Sequence, residues 1–339
     1  MNAPVNHEVR RHARLSASRT DRFMQCPGSY RLESLMPYEP AGEAAAIGTA
    51  IHELSEIILS GNQVPANADK DHIAMAQSYA DFVNNLVENP RKKLIEVSLD
   101  DGLKSLHPAL GGTADAVLVD GDHLHVVDLK TGRVAVDATD NKQLLTYALG
   151  AMRQFKAPSH ITCTMHIFQP RVGHSKWTVT GQDLIDHGNK LKSAAELALT
   201  SDAPTIPSVD ACRYCKAKTI CPSMREKVQQ AARSDFKPDT TVTPEMLENA
   251  ALVSAWADAV QSAAKEQLTS GQAIPGWTMR AGRKTKFWKD EALVMEAFKD
   301  NKNVWELKSP SAVLKLGVEV SEDLVGEKSA APSLVKAKE

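Results

Sequence analysis

The sequence predicts a mixed α/β core with helices on the faces of a central sheet, and three observations carry that prediction. Residues 44–88 place apolar side chains at helical spacing, residues 93–129 change to the alternation of strands, and residues 141–199 return as helix, two strands and helix. With 339 residues and 42% hydrophobic content, the chain can build one large domain, or a medium domain with an appendage.

The elements follow in chain order. In residues 15–33, LSASRTDRFMQCPGSYRLE, Ser16 or Ser18 is expected to cap a short helix carrying Leu15, Phe23 and Met24, which Cys26-Pro27-Gly28 breaks. Over residues 44–59, Ile47, Ile51, Leu54 and Ile58 form one stripe, and His52 and Glu56 share a neighbouring face. A second helix is expected over 69–88, where Asn89-Pro90 ends it. Strands are expected at 93–99, 111–119 and 123–129, the last two joined by the hairpin signal Asp120-Gly121-Asp122, so the three read as an antiparallel meander. Residues 141–153 read as helix, 161–169 and 176–180 as strands, and 181–199 as helix. Residues 231–243 read as a linker between a domain of residues 1–230 and a mainly helical extension over 244–327. The extension opens on Thr243-Pro244-Glu245, a cap, a first-turn proline and an early acid, starting a helix to Thr269. A basic strand-like piece and two short helices complete it, and residues 328–339 read as a disordered tail.

Forty Lys and Arg against 42 Asp and Glu leave a formal charge of −2, which argues against a polybasic coat and an acidic tail protein. Any nucleic-acid surface must then be a local patch. No apolar run approaches roughly 18 residues and the N-terminus carries none at all, so neither a membrane span nor a secretory signal is expected, and the location reads as cytoplasmic. Five cysteines are too few for a disulfide scaffold, and clustered cysteines in a reducing compartment more often hold metal or do chemistry.

The sharpest constellation is GGTAD at 111–115 followed by VVDLKTG at 126–132. Strand alternation puts Asp128 and Lys130 on one side, and the hairpin brings Asp115 alongside. Hard divalent cations take oxygen ligands, so two carboxylates and an ammonium are the minimum equipment for metal-assisted phosphodiester hydrolysis. Lys130 would orient or help deprotonate the attacking water and stabilise phosphate charge. The plain alternative is a solvated turn whose charges merely pair; the acids' position at the ends of apolar runs weighs against it, because desolvated carboxylates without a cation are costly. His52 is either a nitrogen ligand or an ordinary half-buried histidine, and Glu56 an outer or surface residue.

Cys212, Cys215 and Cys221 form C-x2-C-x5-C, with Cys26-Pro27 far upstream. Four thiolates hold either zinc or an iron-sulfur cluster, and three close cysteines plus a distant one favour the cluster. Cys163, inside an apolar strand, reads as a buried small hydrophobe. Residues 275–289 carry five basic residues and no acid, interleaved with Trp277, Phe287 and Trp288. That is the composition of a single-strand-binding surface, or of an amphipathic strand with inward aromatics.

The segments SASRTDRFMQCPGSYR, GTAIHE, GGTADAVLVDGDHLHVVDLKTG, QLLTYALG and CRYCKAKTICP, in order over residues 14–225, resemble the RecB-like branch of the PD-(D/E)XK nucleases with an iron-sulfur cluster, such as the CRISPR-associated exonucleases and the AddB nuclease domain. The resemblance implies a restriction-endonuclease-like core and a Mg²⁺ or Mn²⁺ ion held by His52, Asp115, Asp128 and the Leu129 carbonyl, with Asp115, Asp128 and Lys130 catalytic. It implies a [4Fe-4S] cluster on Cys26, Cys212, Cys215 and Cys221, and it places Gln143 and Tyr147 near a DNA strand. Asp128 stands where many relatives have glutamate. From Met246 onward the chain resembles the C-terminal part of phage and prophage nucleases, which implies viral DNA recombination or replication in a bacterial cell, with a single-strand-binding or annealing protein as partner. The expected function is a metal-dependent DNA exonuclease, with Arg283, Lys284, Lys286 and Trp288 as further DNA contacts. The alternative is a DNA-binding adaptor on a nuclease fold that loads an annealing protein; homo-oligomerisation stays open.

Overall fold

The computed structural model describes residues 13–37, 42–233, 241–301, 309–315, 320–329 and 333–336. The N-terminal segment forms β1 (Leu15–Ser16), a 3-10 turn, α1 (Thr20–Gln25) and α2 (Ser29–Glu33). Neither expected serine cap forms: Ser16 and Ser18 pair through their hydroxyls at 3.1 Å, and Leu15 is drawn into parallel pairing with Leu110 and buried. Burying a leucine, worth roughly 2 kcal/mol, outweighs a cap worth about 1 kcal/mol.

Two long helices follow, α3 (Glu43–Leu59) and α4 (Lys70–Leu86), the second capped by the Asp69 carboxylate, which accepts from the Asp71 and His72 N–H groups. Next come β2 (Lys92–Ser98), α5 (Asp100–Lys104), β3 (Leu110–Gly111), β4 (Thr113–Asp120) and β5 (His123–Leu129). The core then closes with α6 (Lys142–Gln154), β6 (Thr162–Gln169), β7 (Gly173–Thr180) and α7 (Gly181–Ala198). The main sheet has five strands in the order β2-β4-β5-β6-β7, antiparallel except for β5 and β6. The expected meander is therefore its first three strands.

Both sheet faces are covered, which is why β4 and β5 read as nearly continuous apolar runs. On one face Ala116, Leu118, Val127 and Leu129 meet Ile51 and Leu54 of α3 and Tyr79 and Val83 of α4. On the other, Val117, Val126 and Met165 meet Leu144 and Leu149 of α6 and Leu184 of α7. Cys163 lies in this second layer, where burial pushes its thiol up to about 12, as suits a small core hydrophobe.

After α8 (Val209–Arg213) and α9 (Pro222–Ala232), the chain divides into compact units of residues 1–255 and 256–339, the division falling inside α10 (Pro244–Thr269). Most of the linker expected at 231–243 lies outside the described residues. The second unit holds β8 (Trp277–Arg280), β9 (Lys284–Trp288), α11 (Glu291–Ala297), α12 (Pro310–Lys315), β10 (Val325–Ser329) and β11 (Ser333–Lys336). Beside its helices, β9 pairs with β10 and β8 with β11. The expected disordered tail thus contributes strand residues, Leu334 and Val335 falling opposite Met279 and Thr278. Among the described residues no helix is long and apolar enough to cross a membrane.

Across β5, β6 and β7, on the α4 side, runs a row of histidines. His125 and His166 are joined through Nδ1 and Nε2 at 3.1 Å, His166 and His174 through Nδ1 and Nε2 at 3.0 Å, and Phe82 of α4 lies edge-on to the buried His166. Each link needs one proton between two nitrogens, so the row is built for neutral rings. Burial, with the neighbouring histidines and Lys176, pushes His166 down to about 3; burial and His123 push His125 down to about 4, opposed by Asp120. His187, buried under α6, is likewise at about 4. A folded value below the unfolded 6.5 means the unfolded chain binds more protons, so stability is complete above pH 6.5 and is lost as pH falls toward 4. Each such histidine should steepen that loss by about 1.4 kcal/mol per pH unit. Denaturant unfolding at a series of pH values should show a slope shallower by about one proton in His166→Gln; an unchanged slope would remove the row from acid stability.

Candidate functional site

Alternation along β5 puts Asp128 and then Lys130 on the side of the sheet that α6 covers, while Asp115, near the start of β4, meets His52 of α3. Asp128 is only 3% exposed: Gln143 Nε2 donates to Oδ1 at 3.0 Å, and Oδ2, 2.8 Å from Lys130 Nζ as an ion pair, has no hydrogen-bond partner. Gln143 also accepts from Lys130 Nζ at 3.1 Å and donates to the Tyr147 hydroxyl one turn on, again at 3.1 Å. The pair expected near DNA is therefore built into the acid site, with Gln143 fixing the ion pair to α6.

Asp115 is oriented by the Leu129 backbone N–H, which donates to Oδ2 at 2.7 Å, while its Oδ1 lies 3.3 Å from His52 Nδ1 of α3. The expectation gave Leu129 a part through its carbonyl; the contact seen here is through its N–H. Glu96 is the residue that sequence reasoning missed. It stands across from Asp115, between the paired positions Ile95 with Ala116 and Val97 with Ala114, and its backbone has φ of 46°. A non-glycine residue held there costs about 1–3 kcal/mol, the kind of strain that concentrates at functional sites. The available signal was that Glu96 is the only acid in KKLIEVS. His52, Glu96 and Asp115 each bring one ligand atom within 4.8 Å of the others, the only such trio of His, Cys, Asp or Glu among the described residues. Asp128 lies outside the trio, held by Lys130 and Gln143.

The electrostatics follow from crowding three carboxylates. Burial and then the Asp115 charge hold the Asp128 carboxyl above its ordinary range, opposed by Lys130. Burial would lower Lys130 and His52, yet both are raised, Lys130 mainly by Asp128 and His52 mainly by Asp115. The Tyr79 hydroxyl is buried without a hydrogen-bond partner, its pKa driven far up by burial and by the charges of Asp115, Asp128 and Glu96. One imidazole among carboxylate oxygens is a donor set suited to Mg²⁺ or Mn²⁺. A groove of about 510 Å³ borders the site, lined by Glu96, Tyr147, Ser16, Ser18, Ser98 and Thr113. Gly112 makes its floor possible, since a Cβ there would sit 2.9 Å from the Ala17 Cβ and 3.0 Å from the Tyr147 ring.

The four expected cysteines, Cys26, Cys212, Cys215 and Cys221, line one cavity together with Lys218 and Met224. Gly28 lets the chain close there: a Cβ would lie 2.6 Å from the Ala203 carbonyl oxygen, and the Gly28 N–H donates to Pro204 O. The Ile206 N–H donates to Cys26 Sγ at 3.2 Å, and the buried Glu33 side chain accepts from Arg22 and from the Lys216 N–H. Burial raises the thiols of Cys26, Cys212 and Cys215, the last to about 11, so without a cation the cavity favours protonated sulfur.

In the second unit Arg283, Lys284 and Lys286 are exposed on and beside β9. Trp288 is half-buried 6.3 Å from Phe298, while Trp277 and Phe287 are 45% and 46% exposed, so the outward aromatics are those two.

Fold and site together define a mixed α/β protein, a central mixed sheet flanked by helices, with a candidate divalent-metal centre and a four-thiol cavity. Over residues 12–335 the chain matches the family described as Protein of unknown function (DUF2800), and it belongs to that family. Among solved structures it is similar to the crystal structure of SSO0001, at 14% identity and a TM-score of 0.31, covering 61% of this chain and 85% of that one.

The trio has a thermodynamic consequence. At a Mn²⁺ concentration about 100-fold above its dissociation constant, binding should stabilise the chain by about 2.7 kcal/mol. Glu96→Gln should lose most of that gain in thermal unfolding with and without Mn²⁺. Because the raised His52 proton must leave before its nitrogen can ligate, the gain should shrink as pH falls through that raised value and should lose this dependence in His52→Gln. Equal Mn²⁺ stabilisation in wild type and Glu96→Gln would remove Glu96 from the centre.

Proposed function

We propose that this chain is a metal-dependent DNA nuclease with a RecB-like PD-(D/E)XK active site that degrades DNA from its ends, and that its four thiols hold a [4Fe-4S] cluster. The observation that carries the reading is the convergence of His52, Glu96 and Asp115 beside the Asp128–Lys130 pair that Gln143 holds. His52, Glu96, Asp115 and Asp128 would hold Mg²⁺ or Mn²⁺. A bound cation would polarise the scissile phosphate and neutralise its charge. Lys130, its pKa raised beside Asp128, is an ammonium donor; its part is to orient water and to stabilise charge developing on phosphate. Gln143 keeps that ammonium in place, and the Leu129 N–H fixes which oxygen of Asp115 faces His52.

Three close cysteines with a distant fourth, all four lining one cavity, support a cluster over a single zinc ion, and the N–H donor to Cys26 suits a thiolate ligand. The exposed cations beside β9, with Trp277 and Phe287, support a separate DNA contact in the second unit. Phage DNA recombination, with a single-strand-binding or annealing protein as partner, is the setting this reading suits.

Anaerobically purified chain with Mn²⁺ should shorten end-labelled DNA, and Asp115→Ala, Asp128→Ala and Lys130→Ala should each lower turnover by about 100-fold or more. Wild-type turnover in any one variant removes that residue from the mechanism, and no cleavage of any labelled DNA by wild type refutes the nuclease reading. Iron analysis should give about four irons per chain. The iron should be lost in Cys26→Ser and kept in Cys163→Ser; one zinc and no iron would refute the cluster.

A further inference from the structure

A second cavity lies away from the acids. A cleft of about 290 Å³ opens between α6, α7 and the turn that follows α5, its walls formed by Leu106, Leu149, Met152 and Ile185, with Arg153 and Lys156 also lining it. No acid lines it. The volume is at the small end of ligand sites, enough for a short apolar group rather than a long chain.

Its cations are placed with care. Arg153 is fixed by the turn after α5: its Nε donates to Ser105 Oγ at 2.9 Å and its Nη2 to Ser105 O at 3.2 Å. Helix α6 ends in a Schellman closure, with the Ala157 N–H on Met152 O and the Lys156 N–H on Arg153 O. Lys156 occupies the left-handed position of that closure, φ 53°, where glycine is the unstrained residue. A lysine is held there against backbone preference, exposed at the cleft, and it makes no ion pair among the described residues. By helical spacing Lys192 continues the α7 face that carries Ile185 and Gly188.

We propose that this cleft receives the C-terminal end of an acidic peptide from a partner protein, its last apolar side chain seated between α6 and α7 and its carboxylates on Arg153 and Lys156. A terminal residue offers an apolar side chain and a carboxylate on the same carbon, which matches an apolar cleft lined by cations of its own. The partner's preceding acids would meet Lys192. This inference stands apart from the nuclease reading and does not need the metal site.

The test is fluorescence anisotropy of the full chain with a labelled acidic heptapeptide ending in phenylalanine. The free acid should bind, and its C-terminal amide, or the same peptide ending in serine, should bind about tenfold or more weakly. Lys156→Gly separates function from folding: it should raise the thermal midpoint, because glycine relieves the positive φ, while weakening the peptide about tenfold. Ala157→Leu, which intrudes on the cleft, should also weaken binding. The proposal is overturned if the amide binds as tightly as the acid, if Lys156→Gly leaves affinity unchanged, or if a medium-chain fatty acid binds and the peptide does not.

Discussion

Glu96, Asp115 and Asp128 crowd the end of the β2-β4-β5 meander, and the mutual repulsion of their charges is the constraint on which the rest of the molecule depends. Burial amplifies it, since carboxylates taken out of water interact through a medium that screens them poorly. The chain sets two basic side chains against it. Lys130 is paired to Asp128, and Asp115, 3.3 Å from His52 Nδ1, raises the pKa of that imidazole. A divalent ion bound there would supply the same compensation with His52 neutral. Strained backbone at Glu96 and the orphaned Tyr79 hydroxyl are further costs carried at this site.

The groove wall beside this centre is supplied from far away in sequence. Ser16 and Ser18 border the groove, and α1, which follows them, is anchored by Phe23 in the core and by the hydrogen bond between Thr146 Oγ1 of α6 and Thr20 Oγ1. Immediately beyond α1, Cys26 enters the thiol cavity, and Glu33 ties α2 to the loop of Cys215 and Lys216. The thiol cavity therefore joins the start of the domain to its end, a few residues from one wall of the groove.

Much of this was legible in sequence, for identifiable reasons. Helices α3, α4, α6 and α7 and the strands of the meander were readable because their periods are strong and their boundaries carry caps and turns, as with Asp69, Asn141 and Thr180. The proximity of Asp115, Asp128 and Lys130 was readable because a hairpin and a two-residue period leave little freedom. Glu96 was not, since its strand looks like ordinary alternation and its positive φ leaves no mark in the residue order. The serine caps at Ser16 and Ser18 failed because tertiary burial of Leu15 overrode a local preference, and β11 was missed because a short strand whose partner lies more than 50 residues upstream has no local signature. The histidine row needed the β5-β6-β7 register before His125, His166 and His174 could be seen as neighbours.

The central claim is that these crowded acids exist to hold a divalent cation with His52 as its nitrogen ligand. Pulsed electron paramagnetic resonance of the Mn²⁺-loaded chain tests it most directly, because nitrogen bound to the ion modulates the spin echo. The account predicts one bound Mn²⁺ with modulation from a single imidazole, lost in His52→Gln and kept in His166→Gln. Mn²⁺ bound with no nitrogen modulation, or with modulation that survives in His52→Gln, would contradict it.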